Sequence, residues 1–96
     1  MTQDRDAYRK KREAELEQLE AELQRLQGKA KEAEAEARIG FQQQAYELQE
    51  KRDQVRERLR ELSEAGTDAW DKTREGLEEA LTDLRTALEV ASTRFK

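Results

Sequence analysis

Carboxylates are the only chemically active groups this sequence holds in quantity: Asp and Glu number 23 of 96 residues. Pairs of them three or four positions apart recur along the chain, a spacing that puts both on one face of a helix. Such a pair can share a proton or hold a cation. In a chain this rich in Glu the spacing arises from composition alone, so no pair is singled out. Histidine and cysteine are both absent. That excludes zinc sites built on them and any nucleophile–base pair that uses them. A ferritin-type di-iron site needs Glu-x-x-His and is excluded with them. Ser63, Ser92 and the threonines stand among charged helix residues, with no partner pattern around them. The glycines at 28, 40, 66 and 76 match neither a phosphate loop nor a dinucleotide fingerprint. The expectation is a protein that is not an enzyme and has no catalytic residue, no cofactor and no metal.

One run of opposite charge stands out, Arg9, Lys10, Lys11 and Arg12. It could meet phosphate or an anionic membrane surface. Asp4, Asp6, Glu13 and Glu15 dilute it, so it reads as a solvated helix face. The net charge of −4 also argues against nucleic acid as a partner. No run of apolar residues is long enough to span a membrane as a helix. The N-terminus lacks the apolar core of a secretory signal. A cytoplasmic location is expected.

The elements that position these residues are helices. Charged residues make up 44% of the chain, proline is absent and aromatics are 5%. That composition marks long helices and coiled coils. From Leu16 the apolar residues form a heptad seam: Leu16, Leu19, Leu23 and Leu26, then Ala30, Ala33 and Ala37 in the same phase. Small residues crowd the stretch from Gly28 to Gly40, which would suit an antiparallel crossing of two helices. Between Ala37 and Phe41 the seam shifts by one residue. Phe41, Ala45, Leu48, Arg52, Val55, Leu59 and Leu62 then carry it, with Arg52 expected to reach to the edge.

From Leu48 onward an 11-residue ladder is laid over the seam. Its rungs are Val55, Leu59 and Leu62; then Gly66, Trp70 and Thr73; then Leu77, Leu81 and Leu84; then Leu88, Ser92 and Phe95. Eleven residues make nearly three turns, so the rungs share one side of a helix. The clearest break is Ser63-Glu64-Ala65-Gly66-Thr67-Asp68. Gly66 suits a left-handed position after a helix. Thr67 suits a cap, with Asp68 and Asp71 in the next first turn.

The fold expected is all-α, one helical coiled-coil domain over residues 1–96. A long coiled-coil helix over about 4–64 precedes a break near 65–67 and a shorter amphipathic helix over about 67–95. The chain is expected to self-associate as a homo-oligomer, because a chain this polar buries narrow stripes against a partner. The expected interface is Leu16, Leu19, Leu23, Leu26, Ala33, Ala37, Leu48, Val55, Leu59, Leu62, Trp70, Leu77, Leu81, Leu84 and Leu88. The alternative is a peripheral lipid-surface protein using residues 67–96, whose amphipathic repeat carries a Trp and a Phe. The acidic excess of that segment makes a membrane the weaker reading.

Several blocks of the chain carry a resemblance. They are Ala7-Tyr8 before the basic run, Glu-Ala-Glu-Ala-Glu-Ala-Arg-Ile at 32–39, Gln-Glu-Lys-Arg-Asp at 49–53 and Leu-Arg-Glu-Leu at 59–62. Asp-Ala-Trp-Asp at 68–71, Gly-Leu-Glu-Glu-Ala-Leu at 76–81 and the Ser-Thr-Arg-Phe-Lys ending complete them. Together they resemble small bacterial coiled-coil proteins of about this chain's length, described as stress-response proteins. The resemblance implies a soluble, cytoplasmic helical protein without an established activity. It brings a context and no site residue.

Overall fold

A computed structural model describes residues 2–94, with side chains from Asp4 to Arg94. Phe95 and Lys96, the last ladder position and the terminal charge, lie outside the described residues. Three helices account for nearly all of the described chain: α1 (Thr2–Lys31), α2 (Ala35–Glu64) and α3 (Trp70–Arg94). The chain is all-α, as expected.

The single long helix expected over about 4–64 is corrected to two. It breaks at Glu32, Ala33 and Glu34, where Glu32 N–H donates to Lys29 O and Ala33 N–H to Ala30 O, each at 3.2 Å. The physical reason is burial. A straight helix of that length leaves its leucines in water unless another chain covers them. Turning back at 32–34 lays Leu16, Leu19, Leu23, Leu26 and Ala30 against the other two helices. The helix does run through Gly28 and Gly40, as the sequence implied. The phase shift between Ala37 and Phe41 is the trace of this boundary, displaced a few residues into α2.

The second break falls where expected, but with different chemistry. α2 ends at Glu64 and α3 starts at Trp70 rather than at 67. Thr67 and Asp68 therefore lie in the turn, while Asp71 does fall in the first turn of α3. No glycine among the described residues has a positive φ, so Gly66 is not a left-handed cap. Its carbonyl accepts from Ala69 N–H at 3.2 Å instead.

Cross-helix contacts fix the topology. Tyr8 meets Glu78 and Glu15 meets Arg85, both at a sequence offset of 70, so α1 and α3 run parallel. Glu20 meets Arg56 from α2 at 2.5 Å, and both connections are short, so α2 runs antiparallel to its neighbours. The result is an up-down-up three-helix bundle of 51 × 18 × 17 Å. One core runs its length. α1 gives five residues to it, α2 gives Phe41, Leu48, Val55, Leu59 and Leu62, and α3 gives Leu77, Ala80, Leu81, Leu84, Leu88 and Ala91. Leu48, Val55 and Leu77 are wholly inaccessible. Burying a leucine contributes roughly 1.5–3 kcal/mol before chain entropy is counted.

Candidate interaction surface

Of the fifteen residues expected at an oligomer interface, all twelve Leu and Val side chains are buried within one chain. Trp70, Ala33 and Ala37 are half-buried. Ala33 sits in the α1–α2 turn rather than on a helix. The bundle thus satisfies the apolar stripe by itself, and the stripe supplies no need for a second copy. The same holds for the face offered to lipid: Leu77, Leu81, Leu84 and Leu88 point into the core. The ladder also has two owners. The rung of Gly66, Trp70 and Thr73 spans the turn, and in the last rung Ala91 is buried where Ser92 was expected.

The charges and aromatics converge at the end of the bundle where α1 and α3 begin. The Tyr8 and Trp70 rings meet edge to face, 6.0 Å between centroids. The Arg5 guanidinium lies 5.0 Å from the Trp70 ring centre, and that of Arg12 lies 5.0 Å from the Tyr8 ring centre. Such contacts add to area burial by about 0.5–1.5 kcal/mol for an aromatic pair. The Tyr8 hydroxyl donates to Glu78 Oε1 at 2.8 Å, and Arg12 donates to Glu15 Oε2 at 2.7 Å. Arg85 also donates to Glu15. Burial raises the Tyr8 hydroxyl above its ordinary value, opposed by Arg12 and reinforced by Glu78. At Glu15 burial pushes the carboxyl up, but the combined pull of Arg12 and Arg85 outweighs it and the net shift is downward. Half of the basic run is therefore spent inside the molecule. Arg12 joins this cluster, and Arg9 pairs loosely with Asp6 and Glu13 at 3.9 and 3.7 Å. Lys10 and Lys11 remain exposed. Arg52 reaches to the edge as expected, 3.0 Å from Asp53.

Another surface was not foreseen. Residues 39–46, Ile-Gly-Phe-Gln-Gln-Gln-Ala-Tyr, form a run of eight without a charge, in a chain that is 44% charged. Phe41 of this run enters the core, while Ile39 is 58% and Tyr46 76% exposed. They stand seven residues apart, on one side of α2. Ala35, Gln42 and Gln43 are exposed on the same side. A Cβ built at Gly40 would meet nothing within 4 Å, so the backbone there is open to close approach. The signal was present in the sequence as a gap in the charges. It was masked because Phe41 and Ala45, in the same run, do belong to the core seam.

Among the described residues no cluster of Asp and Glu is arranged to hold a metal ion. No helix is long and apolar enough to cross a membrane, again among the described residues. No known protein family, no curated protein and no solved structure matches this chain.

Proposed function

We propose that this chain is a cytoplasmic, non-enzymatic helical protein that acts by associating with further copies of itself, in a structural or protein-interaction role. Stress adaptation is the context we propose for it, on the resemblance described above. The observation that carries the reading is the charge-free stretch at residues 39–46 on the outer side of α2. Interface cores are depleted in charge and enriched in aromatics, and a helix face with Ile and Tyr one heptad apart has that character. The rest of the surface bears dense charges of both signs, which keep chains apart except where charge is missing. A second copy suits this stretch better than an oppositely charged partner does, since residues 39–46 carry no charge and only Glu36 and Glu50, a turn beyond its ends, bring like charge near.

The test is sedimentation velocity from low micromolar upward, on the native chain and on Ile39→Glu/Tyr46→Glu. The expected outcome is a dimer or larger species for the native chain and a monomer of unchanged helicity for the double variant. Equal association in both would remove this face from the reading. A monomer at every concentration would remove self-association itself.

A further inference from the structure

Glu32, Ala33 and Glu34 separate α1 from α2. None of them is Gly, Pro, Asn or Asp, the residues turns favour. Ala and Glu are among the good helix formers, and Ala30-Lys31 and Ala35-Glu36-Ala37 flank them in the same vein. Read locally, residues 30–37 are an uninterrupted helix. The turn also asks for no special backbone, since no described residue has a positive φ. Glu34 leaves the helical region through ψ alone, at φ −65° and ψ 159°. Its side chain makes no capping hydrogen bond to α2. The α2–α3 connection differs: it is longer and contains Gly66 and Asp68. One of the two turns is therefore in conflict with its own sequence and is held by the packing of the helices it joins.

We infer that the α1–α2 turn is a hinge through which two copies of this chain exchange their first helices. In the exchanged dimer Thr2–Glu64 is one continuous helix, and α1 of each chain seats on α2 and α3 of the other. The contacts of the closed bundle are all rebuilt across the two chains: Leu16, Leu19, Leu23 and Leu26 in the core, Glu15 with Arg85, Tyr8 with Trp70. Straightening adds the i to i−4 hydrogen bonds that residues 32–34 now forgo. Against it stands the entropy of association, so concentration decides the balance. The two long helices cross antiparallel at the hinge. There the small residues Ala30, Ala33 and Ala37 permit close approach. The inference rests on the self-association reading but not on the outer α2 face, which exchange leaves exposed. A continuous helix of this span is about 95 Å long, so the exchanged dimer is far more elongated than the closed bundle.

Two single-cysteine chains with different tags, Glu15→Cys and Arg85→Cys, test it. They are unfolded together, refolded at high concentration and treated with a short bis-maleimide. The expected result is an adduct joining the two tags in the dimer fraction. A dimer fraction without that adduct overturns exchange. Glu34→Pro fits the observed φ of −65° and forbids a continuous helix. It is expected to convert the dimer to a monomer with undiminished melting temperature. Glu34→Gly, which weakens the straight helix without constraining Ala33, is expected to act in the same direction. A dimer that persists in both hinge variants but is lost in Ile39→Glu/Tyr46→Glu overturns exchange and upholds association through the α2 face. A dimer lost in the hinge variants but kept in the face variant upholds exchange and removes the face.

Discussion

Tyr8 and Glu78 lie 70 positions apart and are joined by a 2.8 Å hydrogen bond at the end of the bundle where α1 and α3 begin. Their link closes the first helix onto the third. Next to it Trp70, the first residue of α3, is held between Tyr8 and Arg5. Removing the hydroxyl and removing the indole should therefore have different consequences. Tyr8→Phe keeps the edge-to-face contact and gives up one partly exposed hydrogen bond, at the low end of about 0.5–1.5 kcal/mol. Trp70→Ala strips the cluster of its centre and is expected to cost about 2–3 kcal/mol, less than a fully buried aromatic would. Thermal melts followed by circular dichroism should rank them in that order. Equal melting temperatures would mean that the aromatic contact adds nothing to docking of α1.

The three helices do not share the core evenly. Leu81 on α3 is 2% exposed, while Leu19 on α1 is 7% exposed. α3 encloses its leucines more fully than α1 does, and on α2 only Leu59, 8% exposed, departs from the same tight burial. Leu81→Ala should cost about 3–5 kcal/mol and Leu19→Ala about 2–3 kcal/mol. Urea titrations give the comparison directly. The order Leu19 above Leu81 would mean that α1, not the α2–α3 hairpin, is the better packed part.

The heptad from Leu16 to Leu26 and the ladder from Val55 to Leu88 give the core nearly residue by residue, because period alone selects a helix face. The location of the turns was less visible. Gly66 and its neighbours announce the second turn, although Gly66 uses no left-handed backbone. Nothing announces the first, since Glu32, Ala33 and Glu34 have helical propensity and only tertiary burial bends them. The stripe reads as wanting a partner because its length shows in the sequence and the turn that lets one chain bury it does not. The exposed pair Ile39 and Tyr46 was hidden for the opposite reason, being interleaved with the core residues Phe41 and Ala45.

Glu15 makes the bundle sensitive to acid. Its carboxyl is held below the ordinary value of 4.5 in the folded chain, because Arg12 and Arg85 together outweigh burial. A folded value below the unfolded one means stability present above pH 4.5 and lost as pH falls through the folded value. Native protein should lose stability over that window, and Glu15→Gln should lose less across it while being weaker at pH 7. Melting temperatures from pH 7 to pH 3 test the sign. Parallel profiles for the two proteins would show that the Glu15 ion pairs are not felt in the folded state.

Gly28 and Gly40 lie inside helices on exposed positions, and a Cβ at either would meet nothing within 4 Å. Neither has a positive φ. Replacing them with Ala therefore removes backbone freedom from the unfolded chain without strain in the folded one, worth about 0.5–1 kcal/mol each. They stand on different helices, so Gly28→Ala and Gly40→Ala should add to about 1–2 kcal/mol in the double variant. For a domain of this size each kcal/mol raises the melting temperature by about 4–8 °C. The gain should appear at low micromolar concentration, where the single bundle is measured. A Cβ at residue 40 also thickens the helix beside Ile39 and Tyr46. If α2 faces pack closely there, Gly40→Ala should weaken association while Gly28→Ala does not, even as both raise the melting temperature. Sedimentation of the two single variants at matched concentrations separates these effects, and equal association constants would mean that no backbone approaches Gly40.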